Sequence, residues 1–207
     1  MPVHLVSGEV MASLAQTVTP QGLLGVCAFV DVPLDVLARP GARLVAVLAQ
    51  VRDPGNAGTV LRTADAAGAD GVIFSSASVD PYNGKCVRAS AGSLFHLPVV
   101  AGPSPAEAVA ALRGTGMRIL AADGRGRCLD ELAASGELAG PAAWLFGNEA
   151  WGLPGDLLAL ADEAVAVPIY GAAESLNLAA AAAVCLYSSA RSQRSGGPAG
   201  GVPAEPG

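Results

Sequence analysis

From about residue 43 onward, short apolar runs alternate with Ala-rich segments of helical period. The apolar runs predict six strands, at 44–51, 71–75, 97–100, 118–122, 143–146 and 164–168. The segments between and after them predict six helices, at 57–67, 84–91, 105–113, 129–134, 154–161 and 176–190. This alternation predicts an α/β fold, with a parallel sheet covered by helices on both faces. Ligands of such sheets bind beyond the carboxyl ends of the strands, so the loops after the strands are the candidate functional segments.

The two ends of the chain do not follow this pattern. Residues 1–40 contain only short irregular elements, predicted at 8–16, 25–30 and 34–37. Residues 192–207 are rich in Gly, Pro and Ser and have no apolar period, which predicts a disordered tail. Residues 41–191 are therefore predicted to form one domain.

The charge balance excludes one way of binding nucleic acid. Twelve Lys and Arg stand against 18 Asp and Glu, which gives a formal net charge of −6. A polyanion must therefore be bound by a local basic patch rather than by bulk charge. Aromatic residues make up only 4% of the chain, so a module that stacks single-stranded bases on aromatic platforms is also disfavoured.

The cysteines and the N-terminus limit the compartment and the chemistry. Cysteines stand at positions 27, 86, 128 and 185 without a C-x-x-C pair, so neither a disulfide framework nor a metal site is predicted. The N-terminus lacks a basic region followed by a long apolar stretch, and the Ala-rich run at 175–190 is too short to cross a bilayer. We expect a cytoplasmic protein with no membrane segment and no bound metal.

The loop after the first predicted strand combines a Pro-Gly turn with a polar helix start. Asn56 is placed to cap the helix that follows. Arg62 lies six residues on, about 240° round the helix at 100° per residue, so that Asn56, Thr59 and Arg62 share one polar flank. The free N–H groups of such a helix start can hold an anion. A capped helix with a solvated arginine accounts for the same residues.

A second candidate loop follows the apolar strand at 143–146. Gly147 allows close approach of a ligand or another backbone, and Glu149 presents a carboxylate at the carboxyl end of the strand. A plain turn in which Glu149 caps the next helix is the alternative.

A third candidate loop follows the strand that Pro168 ends. Ser175 is a normal cap for the long small-residue helix behind it. Asn177 is unfavourable so early in a helix unless its amide is engaged, and this favours a functional role.

Together the three loops resemble the three motifs of SpoU-type RNA ribose 2′-O-methyltransferases of the SPOUT superfamily. The resemblance covers about residues 44–191, and each motif follows a predicted strand. It rests on N-A-G-T-V-L-R-T-A at 56–64, F-G-N-E at 146–149, V-P-I at 167–169 and E-S-L-N at 174–177.

The resemblance implies a fold and a cofactor that the residues alone do not. Members of this family thread the C-terminal part of the chain through a loop to form a deep trefoil knot. S-adenosyl-L-methionine lies bent in that knot, held by loop backbone, which carries over onto Gly147, Val167, Ile169 and Leu176.

The implied reaction transfers a methyl group in line from a sulfonium to a ribose 2′-oxygen, without a metal or a covalent intermediate. The family assigns this work to the arginine of the first motif, here Arg62, with Asn56, Glu149, Ser175 and Asn177 shaping the site. A guanidinium holds its proton too tightly to act as a simple base. We therefore expect Arg62 to bind the phosphate beside the target ribose and to polarise the hydroxyl, with neighbours assisting removal of the proton.

The resemblance also implies partners. SpoU-type enzymes are homodimers whose site draws on both chains, and the Ala-rich helix after Asn177 suits close packing of that kind. Lys85 and Arg88 lie on the same expected edge and are predicted to contact RNA, although solvent alone also suits them. Longer family members begin with a complete RNA-binding domain, and residues 1–40 are predicted to be the remnant of such a domain.

The sequence thus predicts 2′-O-methylation of a ribose in structured RNA, ribosomal or transfer. Two alternatives stay open. One is a knotted methyltransferase that attacks a base nitrogen. The other is an RNA-associated protein that binds the cofactor with little or no turnover.

Overall fold

A parallel sheet of six strands organises the part of the chain that the structure describes. The computed structural model describes residues 2–15 and 17–195. The strands are β1 Leu44–Leu48, β2 Gly71–Phe74, β3 Val99–Ala101, β4 Arg118–Cys128, β5 Ala142–Phe146 and β6 Glu163–Ala166. Their order across the sheet is β3-β2-β1-β5-β4-β6, and every pairing is parallel. The predicted α/β class is therefore confirmed.

Seven α-helices are found in the described residues, and all but the first surround the sheet. They are α1 Gly8–Ala15, α2 Pro54–Ala67, α3 Gly84–Ala89, α4 Pro105–Gly114, α5 Leu129–Ala134, α6 Gly155–Leu158 and α7 Leu178–Ser195. Both faces of the sheet are covered, as β1 shows by alternation: Leu44 and Leu48 pack with α2 and α7, whereas Val45 and Val47 pack with α4. Burial on both faces explains why the strands read as continuous apolar runs.

Several element boundaries differ from the sequence-based expectation. Helix α2 begins at Pro54 rather than at 57, because the Asp53 side chain caps it by accepting the Asn56 N–H at 2.8 Å. The expectation that Asn56 is the cap is therefore wrong. Strand β4 continues to Cys128 through a register shift between Ala122 and Arg127, although the sequence predicts its end at 122.

The C-terminal helix starts later and ends later than predicted. Helix α7 runs over Leu178–Ser195, whereas the sequence predicts 176–190. The first residues of the predicted tail, 192–195, are thus helical, and 196–207 lie outside the described residues. No helix within the described ranges is long and apolar enough to span a membrane. The knotted path of the chain stays a prediction.

The N-terminal segment hardly packs on the sheet. Helix α1 buries none of its residues, and apolar side chains such as Leu5 and Leu23 are at least 90% exposed. Contact begins near Asp31, where the Tyr82 hydroxyl accepts the Val30 and Asp31 N–H groups at 2.8 and 2.7 Å and donates to the Asp31 carboxylate. That residues 1–40 are the remnant of an RNA-binding domain stays a prediction.

Candidate active site

Strand order brings two of the candidate loops together. The last residues of β1 and β5 are paired, Leu48 with Phe146, so the loops after them leave the sheet side by side. Strand β6 lies beyond β4 at the edge, and its following loop returns towards β5. A cleft of about 550 Å³ opens at this end of the sheet, lined by the ends of β4, β5 and β6 and by the start of α7. Its size is within the usual range for small-molecule sites.

The four predicted cofactor residues all line this cleft: Gly147, Val167, Ile169 and Leu176. At Gly147 a Cβ atom would press on the Gly152 backbone and lie 2.6 Å from the Leu153 nitrogen, so only glycine fits. Two backbone hydrogen bonds between Asn148 and Gly152, at 2.8 and 2.9 Å, close this tight turn.

The carboxylate of Glu149 joins the first and second motifs. It accepts hydrogen bonds from the backbone N–H groups of Arg52 and Asp53, at 3.3 and 3.2 Å. It also accepts one from the Asn56 side-chain amide at 3.3 Å. Glu149 therefore fixes the loop after β1 and orients Asn56. The alternative that Glu149 caps the next helix is wrong, because Pro154 is the residue before α6.

Asn148 is a structural residue of the site that sequence reasoning did not single out. Its side chain is buried, donates to the Gln50 carbonyl at 3.0 Å and accepts the Ala150 N–H at 2.9 Å. Gln50 has a φ of 65°, a conformation that costs energy for a residue other than glycine. Asn148 thus helps to hold a strained bend at the end of β1. Its place directly before Glu149, in the second motif, was the feature of the sequence that could have identified it.

Arg62 projects from α2 into solvent. Its side chain is exposed and forms no hydrogen bond or ion pair with any residue in the ranges the structure describes. Thr59, one turn before it, donates to the Gly55 carbonyl at 2.8 Å instead of facing a ligand. Arg62 is thus a cation whose charge is not neutralised by a neighbouring acid of the described chain.

The third motif is divided between the cleft and the helix start. Ser175 lines the cleft. Asn177 caps α7, because its side-chain oxygen accepts the Ala180 N–H at 2.8 Å. The expectation that Ser175 caps this helix is wrong, and the capping role explains the position of Asn177.

Helix α3 carries the predicted RNA residues and lies directly against α2. A Cβ atom on Gly58 of α2 would meet the backbone of Cys86 and lie 2.7 Å from the Ala89 Cβ, so glycine permits this close approach. The Lys85 ammonium binds the Asp53 carboxylate at 2.9 Å, and this hydrogen bond is the main cause of the lowered pKa of Asp53. Arg88, by contrast, has no acidic partner among the described residues.

Two further residues at this edge were missed by sequence reasoning. Trp151 is 56% exposed on the turn between Ala150 and Gly152, and the Arg52 guanidinium lies 5.5 Å from its ring centre. Asp123 lines the cleft from β4, and hydrogen bonds from Arg125 lower its pKa. Trp151 could have been identified from the sequence, because a tryptophan in a candidate loop is unusual in a chain with so few aromatic residues.

Within the described residues no group of three or more His, Cys, Asp or Glu side chains is arranged to hold a metal ion. The cysteines at 86 and 185 are buried, and burial raises the pKa of the Cys86 thiol to about 11 and that of Cys185 to about 12. Both thiols are therefore protonated at neutral pH.

Comparison with known proteins identifies this arrangement. Residues 43–187 match the SpoU rRNA Methylase family. The chain is 38% identical over 185 residues to the 23S rRNA (guanosine(2553)-2′-O)-methyltransferase RlmP of Bacillus subtilis, covering 89% of this chain and 71% of that protein. It is 39% identical over 179 residues to the 23S rRNA (uridine(2479)-2′-O)-methyltransferase of Streptomyces viridochromogenes, covering 83% and 61% respectively.

Solved structures of similar proteins support the same family assignment. The AdoMet-bound rRNA methyltransferase of Sinorhizobium meliloti superposes with a TM-score of 0.78 at 34% identity, covering 89% of this chain and 70% of that one. The SpoU methyltransferase AviRb of Streptomyces viridochromogenes gives a TM-score of 0.68 at 38% identity, covering 79% and 66%. The chain therefore belongs to the SpoU family of RNA methyltransferases, and it spans about two thirds of the length of these relatives.

Proposed function

We propose that this chain transfers a methyl group from S-adenosyl-L-methionine to the 2′-oxygen of a ribose in structured RNA, ribosomal or transfer. The observation that carries the proposal is the single cleft that the second and third motif loops line, beside the loop of the first motif, in a member of the SpoU family. Relatives named as 2′-O-methyltransferases of 23S rRNA support the same reaction and substrate class.

The cleft suits the cofactor in shape and chemistry. Gly147 closes the turn against the Gly152 backbone, and both glycines line the cleft, where backbone groups without side chains can approach a nucleoside closely. Val167, Ile169 and Leu176 supply an apolar lining, and Ile169 and Leu176 are 38% and 40% exposed, which leaves apolar surface for a bound adenine to cover. When bound, the cofactor supplies an electrophilic methyl group on a sulfonium.

Arg62 is the proposed catalytic residue. Its exposed guanidinium has no acidic partner in the described chain, so it is available to bind an RNA phosphate and to hold the adjacent 2′-hydroxyl in line. The same positive charge stabilises negative charge that develops on the 2′-oxygen. Removal of the proton is then assisted by neighbouring polar groups rather than by Arg62 alone.

The remaining site residues have positioning roles in this proposal. Glu149 holds Asn56 and the backbone of the first motif, and Asn177 fixes the start of α7 beside the cleft. Ser175 faces the cleft and offers a hydroxyl to the cofactor or to the ribose. The loops of the first and second motifs are thus fixed to each other before substrate arrives, which lowers the entropy cost of alignment.

RNA and a second copy of the chain are the proposed partners. Arg88 and Lys85 lie on α3, which packs against the helix that carries Arg62, so one edge collects these cations. Lys85 is bound to Asp53 and must exchange this partner for a phosphate, which makes Arg88 the stronger contact. The small residues of α7 favour close packing in a homodimer.

Transfer of a labelled methyl group from S-adenosyl-L-methionine to total rRNA and tRNA tests the proposal. Nuclease digestion and mass analysis should locate the label on a ribose 2′-oxygen, whereas label on a base would establish the base-nitrogen alternative. Calorimetry measures cofactor binding separately. Binding without methyl transfer to rRNA or tRNA would establish the other alternative, a protein that binds the cofactor but does not turn it over.

The role of Arg62 is tested by Arg62→Ala, with Arg39→Ala as the matched control. Arg39 is an exposed arginine whose 3.9 Å ion pair with Asp70 lies at the opposite end of the strands. We expect Arg62→Ala to abolish methyl transfer while cofactor binding stays unchanged. Arg39→Ala should transfer methyl groups at the wild-type rate. Near-normal methylation by a dimeric Arg62→Ala protein would refute the assignment.

A further inference from the structure

One wall of the cleft is a segment with few attachments. The wall segment, defined here as residues 168–176, connects β6 to α7 and lines the cleft through Ile169, Ser175 and Leu176. It contains no helix or strand, and its backbone forms no hydrogen bond within the described part of the chain. Most of its side chains are exposed.

The wall segment is attached by one side-chain hydrogen bond. The Tyr170 hydroxyl donates to the Asp130 carboxylate at 2.6 Å. No other hydrogen bond of residues 168–176 is found among the described residues. Tyr170 is 87% exposed, so its ring contributes little packing and the hydroxyl provides the attachment.

The other end of this bond is rigid. Asp130 lies in the first turn of α5, which is anchored by the fully buried side chains of Leu129 and Leu132. Beside it, Arg127 is paired with Glu137 at 2.6 Å and with Glu163 at 3.4 Å, which ties β4 to β6. The neighbouring Asp130 carboxylate raises the pKa of Tyr170, so the hydroxyl remains the donor at neutral pH.

We propose that Tyr170 is a positioning residue whose hydrogen bond to Asp130 holds the wall segment against the cofactor cleft and so slows release of the cofactor. This inference rests on the proposed assignment of the cleft to S-adenosyl-L-methionine. A wall that has no backbone hydrogen bond and one side-chain attachment opens more often when that attachment is lost. The bond therefore sets the fraction of molecules whose cleft is closed, and the observed affinity scales with that fraction.

Tyr170→Phe removes the bond and keeps the ring. A net hydrogen bond of ordinary strength predicts about 3- to 10-fold weaker binding of S-adenosyl-L-methionine by calorimetry, with the change in the dissociation rate. The KM for the cofactor should rise by a similar factor while kcat at saturation stays near that of the wild type. Tyr187→Phe, at another exposed tyrosine with no hydrogen bond in the described residues, is the control and should bind normally.

The pair is tested by a double-mutant cycle. Asp130→Ala should reproduce the effect of Tyr170→Phe, Asp130→Asn should restore much of the affinity because it keeps an acceptor oxygen, and the double variant should lose no more than either single one. Additive losses would show that the two side chains act independently and would overturn the proposal.

A second readout needs no cofactor. Glu174 lies exposed in the wall segment, so a protease that cleaves after glutamate reports its opening. Cleavage after Glu174 should accelerate about 3- to 10-fold in Tyr170→Phe and not in Tyr187→Phe. If the wild type bound no cofactor, the proposed function would fail, yet accelerated cleavage would still support the attachment. Unchanged cofactor affinity in Tyr170→Phe would overturn the inference.

Discussion

A buried hydrogen bond joins the strand of the second motif to the helix of the third, and its removal should measurably destabilise the protein. The Trp144 indole N–H donates to the Ser189 hydroxyl at 2.9 Å, and both side chains have zero exposure. Trp144 lies on β5, three residues before Gly147, and Ser189 lies on α7, which begins after Asn177. The bond therefore helps to fix the relative position of two walls of the cleft.

Ser189→Ala leaves the indole N–H buried without its acceptor. An unsatisfied buried donor costs about 1–3 kcal/mol. Alanine is the better helix former by about 0.5 kcal/mol, which offsets part of this loss. The net decrease in the free energy of unfolding is then about 0.5–2.5 kcal/mol, and about 2–4 °C of melting temperature is lost per kcal/mol in a chain of this size.

Thermal unfolding followed by circular dichroism measures the effect, with Ser188→Ala as the matched control. Ser188 lies on the same helix and is partly exposed, so its replacement changes only helix propensity and should be neutral or slightly stabilising. Equal melting temperatures for Ser189→Ala and Ser188→Ala would refute the reasoning, because they would mean that the Trp144 N–H has lost nothing.

Three further predictions concern the cleft and the charge network beside it. Gly147→Ala should abolish cofactor binding in calorimetry while circular dichroism stays native, because the added Cβ displaces the backbone of Gly152, which lines the cleft; wild-type affinity would contradict this. Glu149→Gln should lower kcat by about ten- to a hundredfold with little change in cofactor affinity, because an amide cannot accept all three hydrogen bonds that hold Asn56 and its loop. The pKa of Glu137 is lowered from 4.5 to about 2, mainly by the hydrogen bond from Arg127, so its stabilising contribution is complete above about pH 4.5 and is lost as the pH falls towards 2. The melting temperature should therefore fall over this window, and by less in Glu137→Gln; parallel pH profiles would contradict the assignment.

The fold class followed from the sequence because each element satisfied its own local rule. Buried parallel strands require continuous apolar runs, and these runs identify all six strands. The order of strands did not follow, because it depends on pairings between distant segments, such as Leu48 with Phe146. That pairing is what places Glu149 within reach of Asn56.

Details of the site depended on choices that the sequence leaves equivalent. Asp53 and Asn56 are both good caps near Pro54, and only the backbone path shows that Asp53 caps α2. Ser175 and Asn177 presented the same ambiguity at α7. The four cofactor residues came from the family resemblance rather than from the residue pattern. They line one cleft, and their role in holding the cofactor stays a prediction.

The ion pairs that the charged side chains form, rather than the net charge of −6, determine which cations are available to bind RNA. Many acids are bound to cations at β4 and β6, including Glu137 and Glu163 with Arg118 and Arg127.

Three exposed arginines in the loop after β1, on α2 and on α3 are different, since Arg52, Arg62 and Arg88 have no acidic partner in the described chain. If these three each neutralise one phosphate, the logarithm of the RNA binding constant should fall with the logarithm of salt concentration with a slope of about −3. Filter binding or fluorescence anisotropy at several salt concentrations measures this slope, and Arg88→Ala should reduce its magnitude by about 1. A slope that Arg88→Ala leaves unchanged would show that the RNA contacts lie elsewhere on the protein.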